Sequence, residues 1–339
     1  TQLAVVSAKE ALENAGFTLD EAEADRCGVI VSSGIGGLFL TEAEHDKGKE
    51  KGWDRVSPFY IPMGICNMAA GQIAIHTGFR GMCSCPVTAC TGGTNAVGDA
   101  FHYIRDGYAD VMLCGGAESA VTPLAIGAFT SMKALTQNPD PDRASIPVDA
   151  ERSGFVLGEG AAILLLEELE HAKARGARIY AEVVGYGATC DAYHMTAPRP
   201  DGSGGAKAME MAIADAGAKP EDVDYINAHG TSTPLNDAGE TAAVKTVFGD
   251  HAYQLAISST KSMTGHMLGA AGAVEALFCA LALQEGFLPA TIHYQVPDPA
   301  CDLDVVPNQG RSADLRYALS NSLGFGGHNG SLLFKKWEA

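Results

Sequence analysis

Basic residues are scarce in this sequence of 339 residues. Lys and Arg number 23 against 41 Asp and Glu, so the formal net charge is −18, and Lys and Arg form only short runs. A surface with this balance repels nucleic acid phosphates and anionic membrane surfaces. The composition therefore argues against a nucleic acid-binding protein.

Long apolar runs are absent as well. No stretch reaches the roughly 20 apolar residues needed to cross a bilayer, and the start lacks the basic segment and short apolar core of a secretory signal. The nine cysteines are an odd count in mostly apolar surroundings, which is typical of reduced thiols. We therefore predict a cytoplasmic protein without a membrane segment.

Several common ligand-binding motifs are missing. The glycine-rich stretch Ser33–Gly37 has neither the Walker lysine nor the G-x-G-x-x-G spacing, and no G-x-S-x-G elbow is present. Cys83 and Cys85, close to Cys90, have no second pair of ligands at the spacing of a zinc site. The sequence predicts no metal and no P-loop or dinucleotide site.

Buried-strand and amphipathic-helix patterns alternate along the chain. Strands are predicted at Arg26–Ser33, Asp110–Gly115, Gly160–Glu167, Ala181–Gly187, Val223–Ala228 and Gln254–Ser258. Helices are predicted at Gln2–Ala15, Thr91–Asp106, Leu169–Arg175, Ala206–Ala216, Ala238–Phe248 and Ala270–Glu285. This alternation predicts an α/β protein whose sheets are covered by helices on both faces.

The alternation of strands and helices is least continuous at the basic, glycine-containing stretch Lys173–Arg178. We place the boundary between two halves there, at residues 1–175 and 176–339. Each half has a glycine-rich element that leads into a helix of small residues, Ala89–Gly98 and Gly265–Ala276. The chain opens in a helix, whereas a doubly wound fold normally begins with a strand. We therefore expect a first strand–helix segment to be absent from the first half.

Cys90 lies where a β-type run meets a helix of small residues, in the sequence VTACTGGTN. Unpaired amides and the macrodipole at a helix N-terminus favour a thiolate, so we expect a lowered pKa for this cysteine. A cysteine in apolar surroundings is more often an inert core residue. Two histidine motifs further along the chain favour the reactive interpretation.

Both histidines follow predicted buried strands. His229 lies in NAHGTSTP and His266 in STKSMTGH, and the carboxyl ends of strands are where α/β sheets usually place ligand contacts. Glu275 lies within the apolar helix that follows, where an unpaired carboxylate is costly, so we predict a buried partner, with Lys261 the first candidate.

A fourth segment, Asn321–Gly330, has one phenylalanine among glycines. We predict a flexible loop with an exposed backbone and a single bulky side chain, which suits a gate or an oxyanion-binding amide better than core packing.

These segments together resemble the β-ketoacyl-acyl carrier protein synthases of the elongation class. The resemblance runs along nearly the whole chain, in the stretches SSGIGGL, SPFYIP, YADVMLCGGAES, RSGFVLGEGA, DAYHMTAP, AHGTSTPLND, STKSMTGHMLGAAGAVEA and SLGFGGHNG. It implies a thiolase-like fold of two similar halves, layered α-β-α-β-α with mixed sheets. It also implies that residues 1–175 carry the nucleophile and residues 176–339 carry both histidines.

The resemblance implies a role for each motif residue. Cys90 is the acyl-accepting nucleophile, and His229 and His266 bind the malonyl thioester and promote its decarboxylation. Lys261 and Glu275 form the supporting charged pair. The amides of Cys90 and Phe325 form the oxyanion hole, while Phe325 also gates the site. The remaining implied contacts are Thr231 and Thr233 with the pantetheine arm, Ile35 and Phe129 with the acyl chain, and Lys133 and Arg55 with the carrier protein.

The implied reaction is condensation of a malonyl group with the acyl group on Cys90, with no cofactor beyond the phosphopantetheine that arrives on acyl carrier protein. The resemblance also implies a homodimer, with Ser57–Ala70 a candidate interface. The Cys-His-His set separates the chain from initiating synthases, which pair cysteine with one histidine and one asparagine, and from thiolases, which have a second cysteine near the C-terminus. A polyketide-type ketosynthase and a non-catalytic partner of one stay open as alternatives.

Overall fold

The computed structural model describes residues 1–338. Eleven α-helices are formed in the described part of the chain: α1 Gln2–Ala15, α2 Leu38–Lys51, α3 Tyr60–Gly64, α4 Met68–Thr77, α5 Gly92–Arg105, α6 Pro123–Ser131, α7 Leu169–Ala174, α8 Ser203–Asp215, α9 Pro234–Phe248, α10 Lys261–Thr264 and α11 Ala271–Glu285. The strands within the same residues are β1 Cys27–Ser32, β2 Cys83–Ser84, β3 Val111–Glu118, β4 Gly160–Glu167, β5 Ala181–Cys190, β6 Tyr225–Asn227, β7 Ala256–Ser258, β8 Phe287–Leu288, β9 Arg311–Ser312, β10 Tyr317–Gly324 and β11 His328–Lys336.

Two mixed sheets organise the molecule. The first has the order β2-β1-β3-β4, with β1 parallel to β2 and β3, and β4 antiparallel to β3. The second has the order β7-β6-β10-β11-β5, with the first three strands parallel and the last two antiparallel to their neighbours. The short strands β8 and β9 form a separate antiparallel pair.

Helices cover both faces of both sheets, as the alternation of strand and helix patterns predicts. One apolar cluster joins α5 and α11 to the facing sides of the two sheets, through residues such as Val97, Cys114, Cys279 and Leu332. A second cluster packs α1 and α4 on the outer face of the first sheet, and a third packs α8 and α9 on the outer face of the second. The order of layers is therefore α-β-α-β-α, and the central helices lie between the sheets.

The two sheets repeat one arrangement. Strands β2, β1, β3 and β4 correspond to β7, β6, β10 and β11 in order and direction, and α5 and α11 occupy equivalent places before β3 and β10. The similarity of the two glycine-rich segments in the sequence has this structural basis. Strand β5 adds a fifth strand to the second sheet; no strand pairs with the outer edge of β4 within residues 1–338.

All six predicted strands and all six predicted helices are present, with bounds that differ by a few residues. The expectation that Asn321–Gly330 forms a flexible loop is wrong. Most of this segment belongs to the antiparallel hairpin of β10 and β11, and only Phe325–Gly327 lies outside the strands. Glycines are compatible with a hairpin here because Gly326 and Gly327 adopt φ of 87° and 78° in the turn.

One segment, Leu268–Glu285, is long and apolar enough to cross a membrane, but 61% of it is buried inside the protein. Its length includes α11, which lies in the central layer with Glu275 buried at 2% exposure. The position between two sheets accounts for the apolar composition, because both sides of the helix contact protein.

Candidate active site

Cys90 lies in the one-turn 3-10 helix Ala89–Thr91, immediately before α5, as the sequence predicts. Its residue exposure is 8%, and it belongs to an apolar cluster with Ala120, Phe155 and Leu268. The preceding Ala89 has φ of 50°, a left-handed conformation that costs about 1–3 kcal/mol in a non-glycine residue and occurs mainly at functional sites. The backbone turn that presents the sulfur is therefore strained.

The lowered pKa expected for Cys90 is not found. Burial raises the pKa of the thiol to about 12, and this outweighs the opposing effects of the Lys261 charge and the Phe325 amide. The position before α5 favours the anion, but the thiol also lies in an apolar cluster that disfavours it, and burial dominates. Cys90 in this structure is a neutral thiol.

The turn between β10 and β11 brings Phe325 to Cys90. The Phe325 N–H lies close enough to the Cys90 sulfur to favour its anion, and the N–H of Gly326 donates to the carbonyl of Met195 at 2.7 Å. No backbone carbonyl in residues 1–338 accepts from the N–H of Cys90 or Phe325. Both amides are therefore free to donate to an oxygen placed beside the sulfur.

The two histidines lie together in the second half of the fold. Their ring centroids are 5.3 Å apart, and the ring planes are nearly perpendicular at 86°. His229 follows β6 and His266 follows α10, and each is 2% exposed. The ring of Phe155, a member of the Cys90 cluster, lies 5.2 Å from the ring of His266, so this phenylalanine connects the histidines to the cysteine.

Burial and the charge of Lys261 hold the pKa of both histidines well below the usual value. Both rings are therefore neutral near pH 7. The buried Nδ1 atom of each has no hydrogen-bond partner among the described residues. A neutral ring that carries its proton on Nε2 can donate one hydrogen bond from that atom.

Lys261 and Glu275 form a buried ion pair, as the apolar setting of Glu275 predicts. The Lys261 ammonium donates to Oε1 of Glu275, and both side chains are 2% exposed. Burial raises the pKa of Glu275 to about 7, although Lys261 opposes the shift. The pair therefore places a positive charge close enough to lower the pKa of both histidines.

Thr231 and Thr233 lie in the loop after His229, and their hydroxyl oxygens are 2.9 Å apart. Thr231 is buried and Thr233 is half-buried. Ser232 between them has φ of 70°, and this places the two flanking hydroxyls side by side.

Ile35 and Phe129 both pack against the Cys90 cluster. Phe129 also contacts Phe155 edge to face at 5.4 Å between ring centroids. The structure thus brings the two residues to one apolar region beside the cysteine, from different elements.

Lys133 and Arg55 are exposed and lie outside this cluster. Lys133 is the residue before Ala134, which packs against the Cys90 cluster, whereas Arg55 lies 3.6 Å from Asp54 between Nε and Oδ2. No described contact joins Arg55 to the residues around Cys90.

Two buried carboxylates near the site were missed by the sequence analysis. Glu240 accepts hydrogen bonds from the amides of His229 and Gly230 at 2.8 and 2.9 Å. Glu118 accepts from Gly34 at 2.7 Å and Gly269 at 3.1 Å. Glu118 is the last residue of the buried strand β3. An acidic residue at the end of a buried strand was the sequence signal that could have identified it.

A groove of about 650 Å³ lies elsewhere, beside α1 and β4. Its lining includes neither Cys90 nor the histidines. The candidate active site is therefore the region of Cys90 and the two histidines, because the groove lining contains no cysteine and no histidine.

Two family domains match the chain in the same order as its two sheets. The β-ketoacyl synthase N-terminal domain matches residues 1–172, and the C-terminal domain of the same family matches residues 180–295.

Relatives and solved structures agree with this result. The chain is 53% identical over all 339 residues to 3-oxoacyl-[acyl-carrier-protein] synthase 2 of Staphylococcus aureus strain COL, of which it covers 82%. It is 54% identical over 336 residues, 99% of its length, to the Synechocystis enzyme of the same name, of which it covers 81%.

Among solved structures, a β-ketoacyl synthase from Burkholderia phymatum STM815 is 36% identical with a TM-score of 0.92, and the match covers 100% of this chain and 83% of that one. A structure of a type II polyketide acyl carrier protein with its ketosynthase bound to the hexaketide is 38% identical with a TM-score of 0.96, covering 99% and 84%. The chain therefore belongs to the β-ketoacyl synthase family and is a condensing enzyme of that family.

Proposed function

We propose that this chain is a cytoplasmic elongation enzyme that condenses a malonyl group on acyl carrier protein with an acyl group held on Cys90. The observation that carries the proposal is the meeting of a buried thiol, two free amides and two neutral imidazoles in one apolar region. The names of the relatives support acyl carrier protein as the substrate carrier.

In the first step, the sulfur of Cys90 attacks the carbonyl carbon of an acyl thioester. The amides of Cys90 and Phe325 donate to the oxygen that becomes negative. The bond to the carrier sulfur then breaks, and the thiol proton lost by Cys90 balances the thiol released on the carrier. Because burial raises the pKa of Cys90, its proton must be removed as the substrate carbonyl approaches.

In the second step, the malonyl thioester loses CO2 and its carbonyl oxygen gains negative charge. His229 and His266 each donate from Nε2 to that oxygen, and no metal is required for this stabilisation. Neutral rings suit the role because they offer a proton without first having to bind one. The Lys261 charge contributes by lowering the pKa of both histidines.

In the third step, the resulting carbanion equivalent attacks the acyl-Cys90 thioester. The carbon–sulfur bond to Cys90 breaks, and the product is a 3-oxoacyl group on the second carrier. In sum, an acyl thioester, a malonyl thioester and one proton give the 3-oxoacyl thioester, CO2 and a free carrier thiol.

Further contacts are part of the same proposal. Ile35 and Phe129 line the pocket for the acyl chain, and Phe325 gates the entrance to the active site. The hydroxyls of Thr231 and Thr233 bind the pantetheine arm. Lys133 and Arg55 contact the acidic carrier protein through local positive charge.

We also propose a homodimer. Phe59, Ile61 and Met63 in the Ser57–Ala70 segment are each more than half exposed, at 64%, 61% and 58%. Neighbouring exposed apolar residues of this size mark protein–protein contact surfaces. Residues 1–175 form the unit that carries the nucleophile, and residues 176–339 form the unit that carries the histidines.

The test is mass spectrometry of the intact protein and its peptides after incubation with a medium-chain acyl carrier protein and no malonyl donor. We expect an acyl adduct on the Cys90 peptide that is released when malonyl carrier protein is added. The Cys90→Ala variant is the matched control and should form no adduct. A folded wild-type chain that forms no adduct would contradict the proposal and favour a non-catalytic partner.

A polyketide-type ketosynthase is the second candidate, favoured by the TM-score of 0.96 with the ketosynthase structure bound to a hexaketide. The product separates the two candidates. One extension cycle per release of the carrier product supports chain elongation, whereas repeated condensation without reduction of the 3-oxo group supports the polyketide type.

A further inference from the structure

Glu118 is a buried carboxylate that the proposed reaction does not use. It is the last residue of β3 and is 2% exposed. Lys, Arg and His form no salt bridge with it among the described residues. Burial raises its pKa, although four hydrogen bonds to the carboxylate oppose the shift. A buried carboxylate without a basic partner is costly, so its presence calls for a specific role.

The partners of Glu118 come from two separate loops. From the loop after β1, the Ser33 hydroxyl and the Ile35 amide donate to Oε1 at 3.1 and 3.2 Å, and the Gly34 amide donates to Oε2 at 2.7 Å. From the turn before α11, the Gly269 amide donates to Oε2 at 3.1 Å. The carboxylate therefore fastens one loop to the other.

Each of these loops supplies a side chain to the apolar region around Cys90. Ile35 comes from the first loop and Leu268 from the second, and both belong to or pack against the Cys90 cluster. Leu268 has φ of 46°, so its turn needs an external restraint.

The two loops are also in close contact at the carboxylate. A methyl carbon added at Gly269 would lie 2.5 Å from the amide nitrogen of Gly34 and 2.9 Å from Oε2 of Glu118. Movement of one loop would therefore displace the other, with the carboxylate between them.

We propose that Glu118 is a positioning residue that sets the width of the acyl pocket by holding the Ile35 loop against the Leu268 turn. The inference rests on the proposed function, because it concerns the acyl chain bound at Cys90. Glu118 acts through these loops and does not touch the reacting atoms. Its charge has a second effect that can be measured separately, since it raises the pKa of the Cys90 thiol.

Two substitutions distinguish the effect of the length of the Glu118 side chain from the effect of its charge. Glu118→Asp keeps the charge but is one methylene shorter, so it cannot hold both loops at once. Glu118→Gln keeps the length but removes the charge, and it presents an NH2 group to backbone donors. Glu168→Gln is the matched control, because Glu168 also accepts a backbone N–H, from His171 at 2.9 Å, at the start of α7.

The first measurement compares acylation of Cys90 by medium-chain and long-chain acyl carrier proteins. We expect Glu118→Asp to change the ratio of the two rates by about tenfold or more, since loss of positioning at a reacting group can cost about a hundredfold. The Glu168→Gln variant should keep the wild-type ratio. A wild-type ratio in both Glu118 variants would overturn the inference.

The second measurement follows alkylation of the Cys90 peptide by iodoacetamide as a function of pH. The groups that act on this thiol are Lys261 and the Phe325 amide, which lower its pKa, and Glu118 and Glu275, which raise it. Glu118→Gln should therefore alkylate severalfold faster than wild type at the same pH, and Glu118→Asp should not. A purely structural role would leave this difference absent, and an unchanged rate in Glu118→Gln would overturn the assigned effect of charge.

Failure of this inference can be told from failure of the proposed function. If wild-type Cys90 accepts no acyl group, the proposed function fails first. If wild type is acylated and the ratio is the same in all variants, only the inference about Glu118 fails. Should Glu118→Gln not fold, Ser33→Ala removes one of the four donors and is expected to shift the ratio in the same direction as Glu118→Asp, by a smaller factor.

Discussion

Replacing Lys261 with Met tests how the buried ion pair supports the fold. The substitution keeps an unbranched side chain of similar length and leaves the Glu275 carboxylate without its cation. Oε2 of Glu275 has no hydrogen-bond partner within the described residues, and Oε1 is bonded to Lys261. Removing one member of a buried pair typically costs about 3–5 kcal/mol, because an uncompensated charge remains. We expect Lys261→Met to lower the free energy of unfolding by about that amount at pH 8.

The loss should depend on pH in a defined direction. The pKa of Glu275 in the folded protein is raised from the usual 4.5 to about 7, and without Lys261 it rises further. A group with a raised pKa in the folded state contributes stability that is present below its unfolded pKa and lost as pH rises through its folded pKa. The cost of Lys261→Met should therefore be smaller at about pH 5.5 than at about pH 8, where the folded protein must hold an anion or bind a proton.

Urea unfolding at both pH values of Lys261→Met, Glu275→Gln and the double variant Lys261→Met/Glu275→Gln makes this a thermodynamic cycle. We expect the double variant to be more stable than Lys261→Met alone, because it has no unpaired buried charge. Strictly additive single costs, together with the same cost at both pH values, would refute the reasoning. The pH–rate profile gives an independent check: loss of the Lys261 charge raises the pKa of both histidines, so the acid limb should move to higher pH.

Two other outcomes follow from the site. His266→Ala should retain acylation of Cys90 but lose decarboxylation of the malonyl thioester, measured as the acyl adduct and released CO2 in parallel; equal loss of both steps would contradict the assigned division of labour. Alkylation of wild-type Cys90 by iodoacetamide should keep rising with pH above about 9, the range in which an unperturbed thiol levels off, because burial raises the pKa of this thiol to about 12. A plateau near neutral pH would show that the N-terminus of α5 dominates over burial.

Local sequence patterns were sufficient to predict the helices and strands that have one clear apolar face. The strand Gly160–Glu167 and the helix Gln2–Ala15 are observed with the predicted bounds. Five helices escaped prediction. Two of them, α3 and α10, have only five and four residues, and the other three escaped for different reasons. Helix α2 ends in the polar run KGKEK, α4 is short, and α6 has apolar residues on all sides. None of them has the one-sided periodicity on which the prediction of a helix depends.

Long-range contacts limit how much of the active site can be predicted from the sequence. The motifs identified Cys90, His229 and His266, but the roles of Glu118 and Glu240 depend on backbone amides distant in sequence. Gly34 and Gly269 are 84 and 151 residues from Glu118, and no local pattern brings them together. The raised pKa of Cys90 has no local signal in the sequence for the same reason, since its apolar neighbours come from several elements.

The convergence of the two halves depends on how closely the central helices approach. A methyl carbon at Gly93 in α5 would lie 2.6 Å from the amide nitrogen of Ala273 in α11, and one at Gly272 would lie 2.2 Å from Oγ1 of Thr94. The N-terminal ends of α5 and α11 are therefore in backbone contact. Since the two helices occupy equivalent places in the repeated arrangement, the segments that precede them must also meet. One of those segments carries the nucleophile Cys90 and the other carries His266, so packing two similar halves through glycine creates a site that neither half contains alone.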